Sequence, residues 1–179
     1  MDAIVEAALR KWPNVPHCHG WLALDARGNW FMRDERTQAA GEFPQVRGSR
    51  IEHDKLLGFI CRNYTRDECG AAFFQNGPQR VYVDLEAAPW VWRLQARAGH
   101  VEVHSHCGQP AQAQASWLDE RGRLFLACEP GFGLGIVHTL DMEVAAQAVE
   151  SGLWQPQELP LDALLARHGV VLRPRPGPG

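Results

Sequence analysis

The most informative segment of the chain is Gly99-His100-Val101-Glu102-Val103-His104-Ser105-His106-Cys107. Successive side chains of a β-strand point to opposite faces of a sheet. The two valines and the serine therefore share one face, and the histidines share the other face with the glutamate. This alternation predicts a strand that buries its valines and presents a row of imidazoles and one carboxylate on its polar face.

The chain on either side of this strand carries the marks of β-hairpins. Asn76-Gly77 is a strong signal for a tight turn, and apolar residues alternate with polar ones in the return strand, residues 79–85. Two similar turns, Asp25-Ala26-Arg27-Gly28 and Asp119-Glu120-Arg121-Gly122, each separate two apolar runs. Strands joined by hairpins pair antiparallel, so the sequence predicts about eight or nine mostly antiparallel strands.

Helices are predicted between these strands, about three or four in number. Apolar residues recur at helical spacing in residues 2–11, and similar stripes follow Thr139 and Leu161. Ser49-Arg50-Ile51-Glu52 has the pattern of a capping box, which predicts a helix that ends near Asn63. The predicted fold class is therefore α+β: a large curved antiparallel sheet or partial barrel, with helices on one face or end.

Length and composition limit the organisation of the chain. Its 179 residues suit one domain, which we expect to cover residues 1–172. The proline- and glycine-rich residues 173–179 are expected to form a flexible C-terminal tail.

Charge and hydropathy exclude several classes of partner. The net charge is −3 and the sequence has no run of lysine or arginine, so no nucleic-acid partner is expected. The apolar runs are too short to span a bilayer, so no membrane partner is expected. The first residues, Met1-Asp2-Ala3-Ile4-Val5-Glu6, lack the basic and then apolar pattern of a signal peptide, which predicts a cytoplasmic protein.

The histidine row suggests a metal site. Neutral imidazole is a common protein ligand of transition metals, and His104 and His106 are two residues apart on one strand face. His138, which follows a glycine-rich loop, and Glu102 are candidates for the remaining ligands of Zn, Fe, Ni or Mn. His17 and His19 form a second candidate pair. The alternative interpretation is a polar row on the solvated face of an antiparallel sheet.

One resemblance supports the metal hypothesis. Gly99 with His104-x-His106, and Pro130-x-x-Gly133 with His138, resemble the two metal-binding motifs of cupins. Cupins are antiparallel barrels, so the resemblance implies a barrel with His104, His106 and His138 as metal ligands. The chain departs from the cupin pattern in the spacing of both motifs, and it lacks the glutamate that follows the second histidine.

A second resemblance covers more of the chain and assigns no activity. The chain is similar to small proteobacterial proteins that are grouped as a domain of unknown function. The resemblance lies in His19-Gly20-Trp21, Gln75-Asn76-Gly77-Pro78-Gln79-Arg80-Val81-Tyr82-Val83 and His138-Thr139-Leu140-Asp141-Met142. It implies a bacterial cytosolic protein.

The alternative to a metal site is a non-enzymatic protein-binding or assembly module. Such a module would use exposed aromatic side chains or a sheet edge to bind a protein partner or a second copy of the chain. The candidate edges are the hairpin of residues 75–83 and the last predicted strand, residues 170–172. The aromatic candidates are tryptophans that the sequence alone cannot divide between core and surface: Trp21, Trp30, Trp90, Trp92, Trp117 and Trp154.

Overall fold

The structure of the chain is a computed structural model, which describes residues 1–176. Within these residues the chain forms twelve strands, five α-helices and one 3₁₀ helix. None of the helices there combines the length and the apolar character needed to cross a membrane. In chain order the elements are α1 (Ala3–Lys11), β1 (Cys18–Leu24), β2 (Trp30–Met32), α2 (Glu35–Ala40), β3 (Ser49–Arg50), α3 (Asp54–Arg62), β4 (Tyr64–Arg66), β5 (Ala72–Asn76), β6 (Gln79–Leu85), β7 (Trp90–Arg97), β8 (His100–Ser105), β9 (Pro110–Leu118), β10 (Leu124–Glu129), β11 (Gly133–Val137), the 3₁₀ helix (Thr139–Asp141), α4 (Met142–Glu150), β12 (Gln157–Glu158) and α5 (Leu161–Arg167).

The described chain divides into two compact units, each with its own six-stranded sheet. Unit 1 comprises Met1–Asp25, Asn29–Glu86 and the C-terminal residues from Val171. Unit 2 comprises Ala26–Gly28 and Ala87–Val170. The single domain over residues 1–172 stays a prediction.

The sheet of unit 1 has the strand order β3-β2-β1-β6-β5-β4. Its neighbouring strands run antiparallel, except that β1 and β6 run parallel. The predicted hairpin joins β5 to β6, and Gly77 in its turn has a φ of +57°, a left-handed conformation that glycine adopts without strain. α3 packs against the sheet through Phe59, whose ring meets Phe74 edge-on at a centroid distance of 5.4 Å.

The sheet of unit 2 closes into a barrel. Its strand order is β10-β11-β7-β8-β9-β12, and β10 also pairs with β9, so the five strands β7 to β11 form a closed ring. The interior holds Trp92 and Leu126, neither of which is exposed to solvent. The indole Nε1–H of Trp92 donates to the Leu126 carbonyl oxygen at 3.0 Å, which satisfies its only polar atom.

The α+β class is confirmed, and the predicted partial barrel is found as a closed one of five strands, whereas the predicted counts of strands and helices and the single antiparallel sheet are wrong. β3, β4 and β12 contain only two or three residues, which is too short to show an alternating pattern. Each sheet also contains parallel pairs: β1 with β6, β7 with β11, and β9 with β12. Because a parallel pair joins segments that are distant in the chain, no local motif signals it. The β7–β11 pair also means that the barrel is not the wholly antiparallel one that the cupin resemblance implies.

The predicted capping box at Ser49 does not form. Ser49 and Arg50 pair with β2 instead, and the amide of Ile51 donates to the Trp30 carbonyl. The helix begins at Asp54, where the Nδ1 of His53 accepts a hydrogen bond from the Leu56 amide at 3.3 Å. Because residues 49–51 are held in extended pairing with β2, they do not take the helical conformation, and the helix starts one turn later than predicted.

The C-terminal segment makes specific contacts in unit 1. Arg173 forms an ion pair with Glu42 and donates to the carbonyl of Phe43 at 2.9 Å. The Nη1 of Arg175 lies 3.3 Å from Oδ1 of Asp84. The flexible tail over residues 173–179 stays a prediction, and residues 177–179 lie outside the described residues.

Candidate functional site

The histidine strand has the predicted alternation. Val103 and Ser105 are 4% and 2% exposed, whereas His100 is exposed and His104 is half-buried on the opposite face. Glu102 on that face lies 3.1 Å from the Nε of Arg97 and 3.8 Å from the Nε2 of His100. The carboxylate is therefore paired with an arginine on the surface of the barrel.

His106 does not continue the row, because β8 ends at Ser105. Its ring packs against Trp90 at a centroid distance of 5.7 Å. Its Nδ1 accepts a hydrogen bond from the Val91 amide at 3.3 Å. The imidazole of His106 therefore contacts strand β7 through the Trp90 ring and the Val91 backbone amide.

His138 acts as a helix cap. It lies directly after β11, is 6% exposed, and its Nδ1 accepts a hydrogen bond from the Leu140 amide at 3.0 Å. The next carboxylate, Asp141, receives two hydrogen bonds from Arg93, of 2.6 and 3.1 Å, and one from the Leu94 amide at 3.0 Å. Burial raises the pKa of Asp141, but these hydrogen bonds outweigh it, and the pKa is lowered.

The predicted metal ligands do not form one cluster. Among residues 1–176, no group of three or more histidine, cysteine, aspartate or glutamate side chains is arranged to hold an ion. Metal binding by His104, His106, His138 and Glu102 therefore stays a prediction. Elemental analysis of untagged protein tests it: about one Zn, Fe, Ni or Mn per chain, lost on the double substitution His104→Ala/His106→Ala, would establish the site.

The second histidine pair lies around Tyr82 in unit 1. The ring of His19 stacks on Tyr82 with centroids 4.6 Å apart, and the ring of His17 meets it edge-on at 5.9 Å. The Tyr82 hydroxyl donates to Asp67 at 3.1 Å. Burial, and then the neighbouring His17, lower the pKa of His19, so its imidazole is favoured in the neutral form. Metal binding by this pair also stays a prediction.

A buried ion pair that the sequence analysis missed lies in the same unit. Arg33 and Asp84 have side chains only 3% exposed, and Nη1 of Arg33 lies 3.4 Å from Oδ2 of Asp84. Burial raises the pKa of Asp84, and the charges of Arg175 and Arg33 oppose that shift. Arg33 also donates to the Gly41 carbonyl at 2.6 Å. Because the partners are more than fifty residues apart in sequence, no motif connects them.

An apolar groove lies in unit 1 between the sheet and α3, and we call it the α3 groove. It has a volume of 310 Å³. Leu56, Phe59 and Ile60 line it from α3, at the i, i+3, i+4 spacing that places side chains on one helix face. The strands and their connections contribute the other lining residues: Cys18, Trp21, Leu22, Met32, Ile51, Phe74, Asn76 and Val81.

An irregularity in β1 lies among the residues that line the α3 groove. The pairing of β1 with β6 shifts between Cys18 and Leu22, so four positions of β1 span two positions of β6. Gly20 lies in this bulge with a φ of +78°, a conformation that L side chains rarely adopt. Downstream of it, Trp21 is 41% exposed while Leu22 is only 5% exposed. Two consecutive residues after the bulge therefore differ in exposure: Trp21 reaches solvent, and Leu22 is a buried part of the groove lining.

The chemistry of the α3 groove is apolar. Its lining residues in the described chain include no charged side chain, and its polar side-chain groups are the Asn76 amide, the Cys18 thiol and the Trp21 indole N–H. Such a surface has no paired acid and base for proton transfer. It suits the binding of an uncharged, apolar group.

The tryptophans are mostly core residues. Trp30, Trp90, Trp92, Trp117 and Trp154 are at most 9% exposed. Trp21 is the member of the predicted set that reaches solvent, together with Met32, which is 50% exposed and also lines the α3 groove. The sequence signal for this site was present in the apolar stripe of α3 and in Trp21. Only the fold shows that they meet.

Comparison with solved structures shows a related fold. A DUF1285 family protein from Silicibacter pomeroyi DSS-3 matches with a TM-score of 0.51 and 13% identity, over 82% of this chain and 84% of that chain. A DUF1285 family protein from Shewanella baltica OS155 has a TM-score of 0.48 and 14% identity, over 71% of this chain and 91% of that chain. At this identity the first likeness shows the fold alone. No curated protein matches this chain.

Comparison with protein families covers almost the whole sequence. The family model DUF2944, described as "Protein of unknown function (DUF2946)", matches residues 1–175. This match agrees with the resemblance noted in His19-Gly20-Trp21, in residues 75–83 and in residues 138–142. The chain therefore belongs to the DUF2944 family, whose function is unknown.

Proposed function

We propose that unit 1 is a non-enzymatic binding module that takes a small apolar ligand, a saturated acyl chain of medium length, in the α3 groove. The observation that carries the proposal is an uncharged recess of 310 Å³ with an exposed tryptophan at its mouth. Pockets for small molecules are typically concave, mostly apolar and furnished with few polar groups.

The volume sets the size of the ligand. At roughly 30 Å³ for each non-hydrogen atom, the share of a water molecule in the liquid, the groove holds about ten atoms. The absence of charged side chains from the lining residues favours a buried part without charge. A carboxylate at the end of an acyl chain would stay in solvent at the mouth.

The extent of the exposed apolar surface favours a small ligand over a protein. A stable protein interface buries about 800 Å² on each partner and involves roughly 20–30 residues a side. Of the residues that line the α3 groove, the exposed large hydrophobic ones are Trp21 and Met32. Two such side chains suit the entrance of a small-molecule site.

The expected affinity is modest. Burial of ten methylene groups contributes about 8 kcal/mol, and we take the loss of translational and rotational freedom at about 4 kcal/mol, the low end of its range. The difference of about 4 kcal/mol corresponds to a Kd on the order of 1 mM.

Titration of ¹⁵N-labelled protein with sodium decanoate tests the proposal. We expect decanoate to shift the amide resonances of α3 and β1 and acetate to shift none of them. Val81→Phe, which fills the groove from β6, should weaken binding about tenfold or more. Val101→Phe is the matched control, because Val101 is also a half-buried strand valine that lines a recess, but in unit 2. Equal binding by both variants, or no shift at about 5 mM decanoate, would refute the proposal.

The partner and location expected from the sequence remain predictions beside this proposal. They are a cytoplasmic location, the lack of a nucleic-acid or membrane partner, and the use of a protein partner or a second copy of the chain. Failure of decanoate to bind while the chain self-associates through Trp21 would favour the assembly module instead.

A further inference from the structure

The barrel strand β9 has one backbone edge that is only partly paired. On its first edge, β10 pairs with β9 from Gln112 to Leu118. On its second edge, β8 pairs at Pro110 and Ala111, and β12 pairs at Trp117 and Leu118. Within residues 1–176, no strand pairs with residues 112–116 on this second edge.

This open segment lacks most of the features that protect natural sheet edges. It reads Gln112-Ala113-Gln114-Ala115-Ser116, with no charge, no proline and no bulky side chain. Lysine, proline and inward-pointing charges are the usual means of preventing a new strand from adding to an edge. One protective feature is present: a register shift opposite Ala127 and Cys128 leaves Gln114 in a bulge. The bulge restricts any added strand to a short segment.

A recess lies beside this edge, which we call the β9 groove. It has a volume of 360 Å³. β9 lines it with residues 113–117, and the chain that follows α4 lines it with residues 152–155 and Gln157. Arg167, in the last turn of α5, is the single charged residue among those of the described chain that line it. Among residues 1–176, the groove is therefore bordered by a segment of β9 that no strand pairs on this edge and by one cation.

Trp117 connects the backbone edge to the cation. Its indole ring lies 5.6 Å from the guanidinium carbon of Arg167, within the range of a cation–π contact. Trp117 is 4% exposed, and its Nε1–H has no acceptor among residues 1–176. A buried indole N–H normally finds an acceptor, so Trp117 offers a donor that a ligand oxygen would satisfy.

We infer that the β9 groove binds an extended peptide as an added strand beside β9, with a peptide carboxylate against Arg167. Five residues of strand extend over roughly 16 Å, so about four or five peptide residues lie along the edge. At roughly 30 Å³ for each non-hydrogen atom, the recess of 360 Å³ encloses about twelve of their atoms, and the rest of the peptide stays in solvent. Main-chain hydrogen bonds to an open edge supply the affinity in this mode of recognition, and the side-chain contacts supply the specificity. The carboxylate belongs either to a glutamate side chain or to the C-terminus of the peptide. This site lies within unit 2 and does not depend on the α3 groove.

Three pentapeptides of alternating valine and threonine test the inference. The first has a free C-terminal carboxylate, the second has a C-terminal amide, and the third has the amide and a central glutamate. We expect the first, the third or both to shift the amide resonances of residues 112–116 and to slow their hydrogen exchange. The second should bind about three- to fivefold more weakly, which is the effect of a solvent-accessible ion pair. Comparison of the first with the third identifies the source of the carboxylate.

Substitutions of Arg167 test the binding of the peptide carboxylate separately from the addition of the peptide strand to β9. Arg167→Gln should remove the preference for the carboxylate peptides, and Arg167→Lys should retain most of it. Arg121→Gln is the matched control, since Arg121 is an exposed arginine in the turn between β9 and β10. Equal binding of the amide and carboxylate peptides would overturn the role of Arg167. Shifts confined to other strands, or no shift with any peptide at about 5 mM, would overturn the strand-addition site.

Discussion

Gly135 in β11 is a position at which one added methyl group should be costly. A Cβ atom there would lie 2.6 Å from Cε2 of Trp92 and 2.8 Å from Cβ of Trp90. Favourable carbon–carbon contacts lie at about 3.5–4.0 Å, so the neighbours would have to move by roughly 1 Å. Trp92 has no room to move freely, because it is fully buried and its Nε1–H is bonded to Leu126.

The magnitude for Gly135→Ala follows from these contacts. Overpacking a core costs about 1–3 kcal/mol, and weakening the Trp92–Leu126 hydrogen bond adds about 0.5–1.5 kcal/mol. The reduced entropy of the unfolded chain offsets about 0.4–1 kcal/mol. We therefore expect a net destabilisation of about 2–3 kcal/mol, which should lower the urea midpoint by roughly 1 M.

The assay is urea unfolding followed by tryptophan fluorescence and far-UV circular dichroism. Gly58→Ala in α3 is the matched control, because Gly58 is a helix glycine whose added Cβ would meet only the end of the Arg62 side chain, at 3.3 Å. This control should stabilise the protein by about 0.5–1 kcal/mol through helix propensity. A Gly135→Ala protein within about 0.5 kcal/mol of wild type, the range of a neutral surface change, would show that the barrel core is not packed as described.

Two further predictions concern unit 2. Asp141→Asn removes the carboxylate that binds Arg93, and should lower the free energy of unfolding at pH 7 by about 1–3 kcal/mol. Because the folded pKa of Asp141 is lowered, its contribution is complete above the unfolded value of about 3.9 and is lost as the pH falls through the folded value. The difference in the free energy of unfolding between wild type and Asp141→Asn should therefore decrease below about pH 4 in acid-unfolding measurements. A difference that stays constant down to about pH 2 would contradict the stabilising role of the ionised Asp141 carboxylate. His138→Ala should lower the free energy of unfolding by about 0.5–2 kcal/mol, because it removes the acceptor for the Leu140 amide. His138→Asn, which supplies a side-chain oxygen as acceptor, should restore part of this stability, as measured by thermal unfolding. Equal losses of stability in both variants would contradict the capping role.

Local interactions explain which parts of the fold were predictable. The turns at Asp25 and Asp119 form alike: each aspartate Oδ1 accepts a hydrogen bond at 2.8 Å from the amide four residues later. The hairpin at Gly77 and the alternation of β8 are also confirmed. Both were predictable because turn conformation and the direction of strand side chains are set within two to four neighbouring residues. The helix predicted over residues 2–11 is observed as Ala3–Lys11.

The candidate sites depend on contacts that are distant in the chain. The row of histidines correctly predicted the polar face of β8. The geometry of one strand does not determine which residue from elsewhere in the chain comes close enough to that face to be a third metal ligand. His106 and His138 instead accept hydrogen bonds from nearby backbone amides. The α3 groove joins residues from β1, β2, α3, β5 and β6, and no pattern within one of these segments shows that they share a recess.

Local sequence patterns specify the α+β class, the main hairpins, the three longest helices and the faces of the alternating strands. Each of these depends on local periodicity or on the conformational preference of a few neighbouring residues. Three features become visible in the folded chain alone: the strands form two sheets, five of them close into a barrel, and Arg33 meets Asp84. The parallel pairs, the open edge of β9 and the α3 groove arise where distant segments pack to bury apolar surface, and that outcome depends on the whole chain at once.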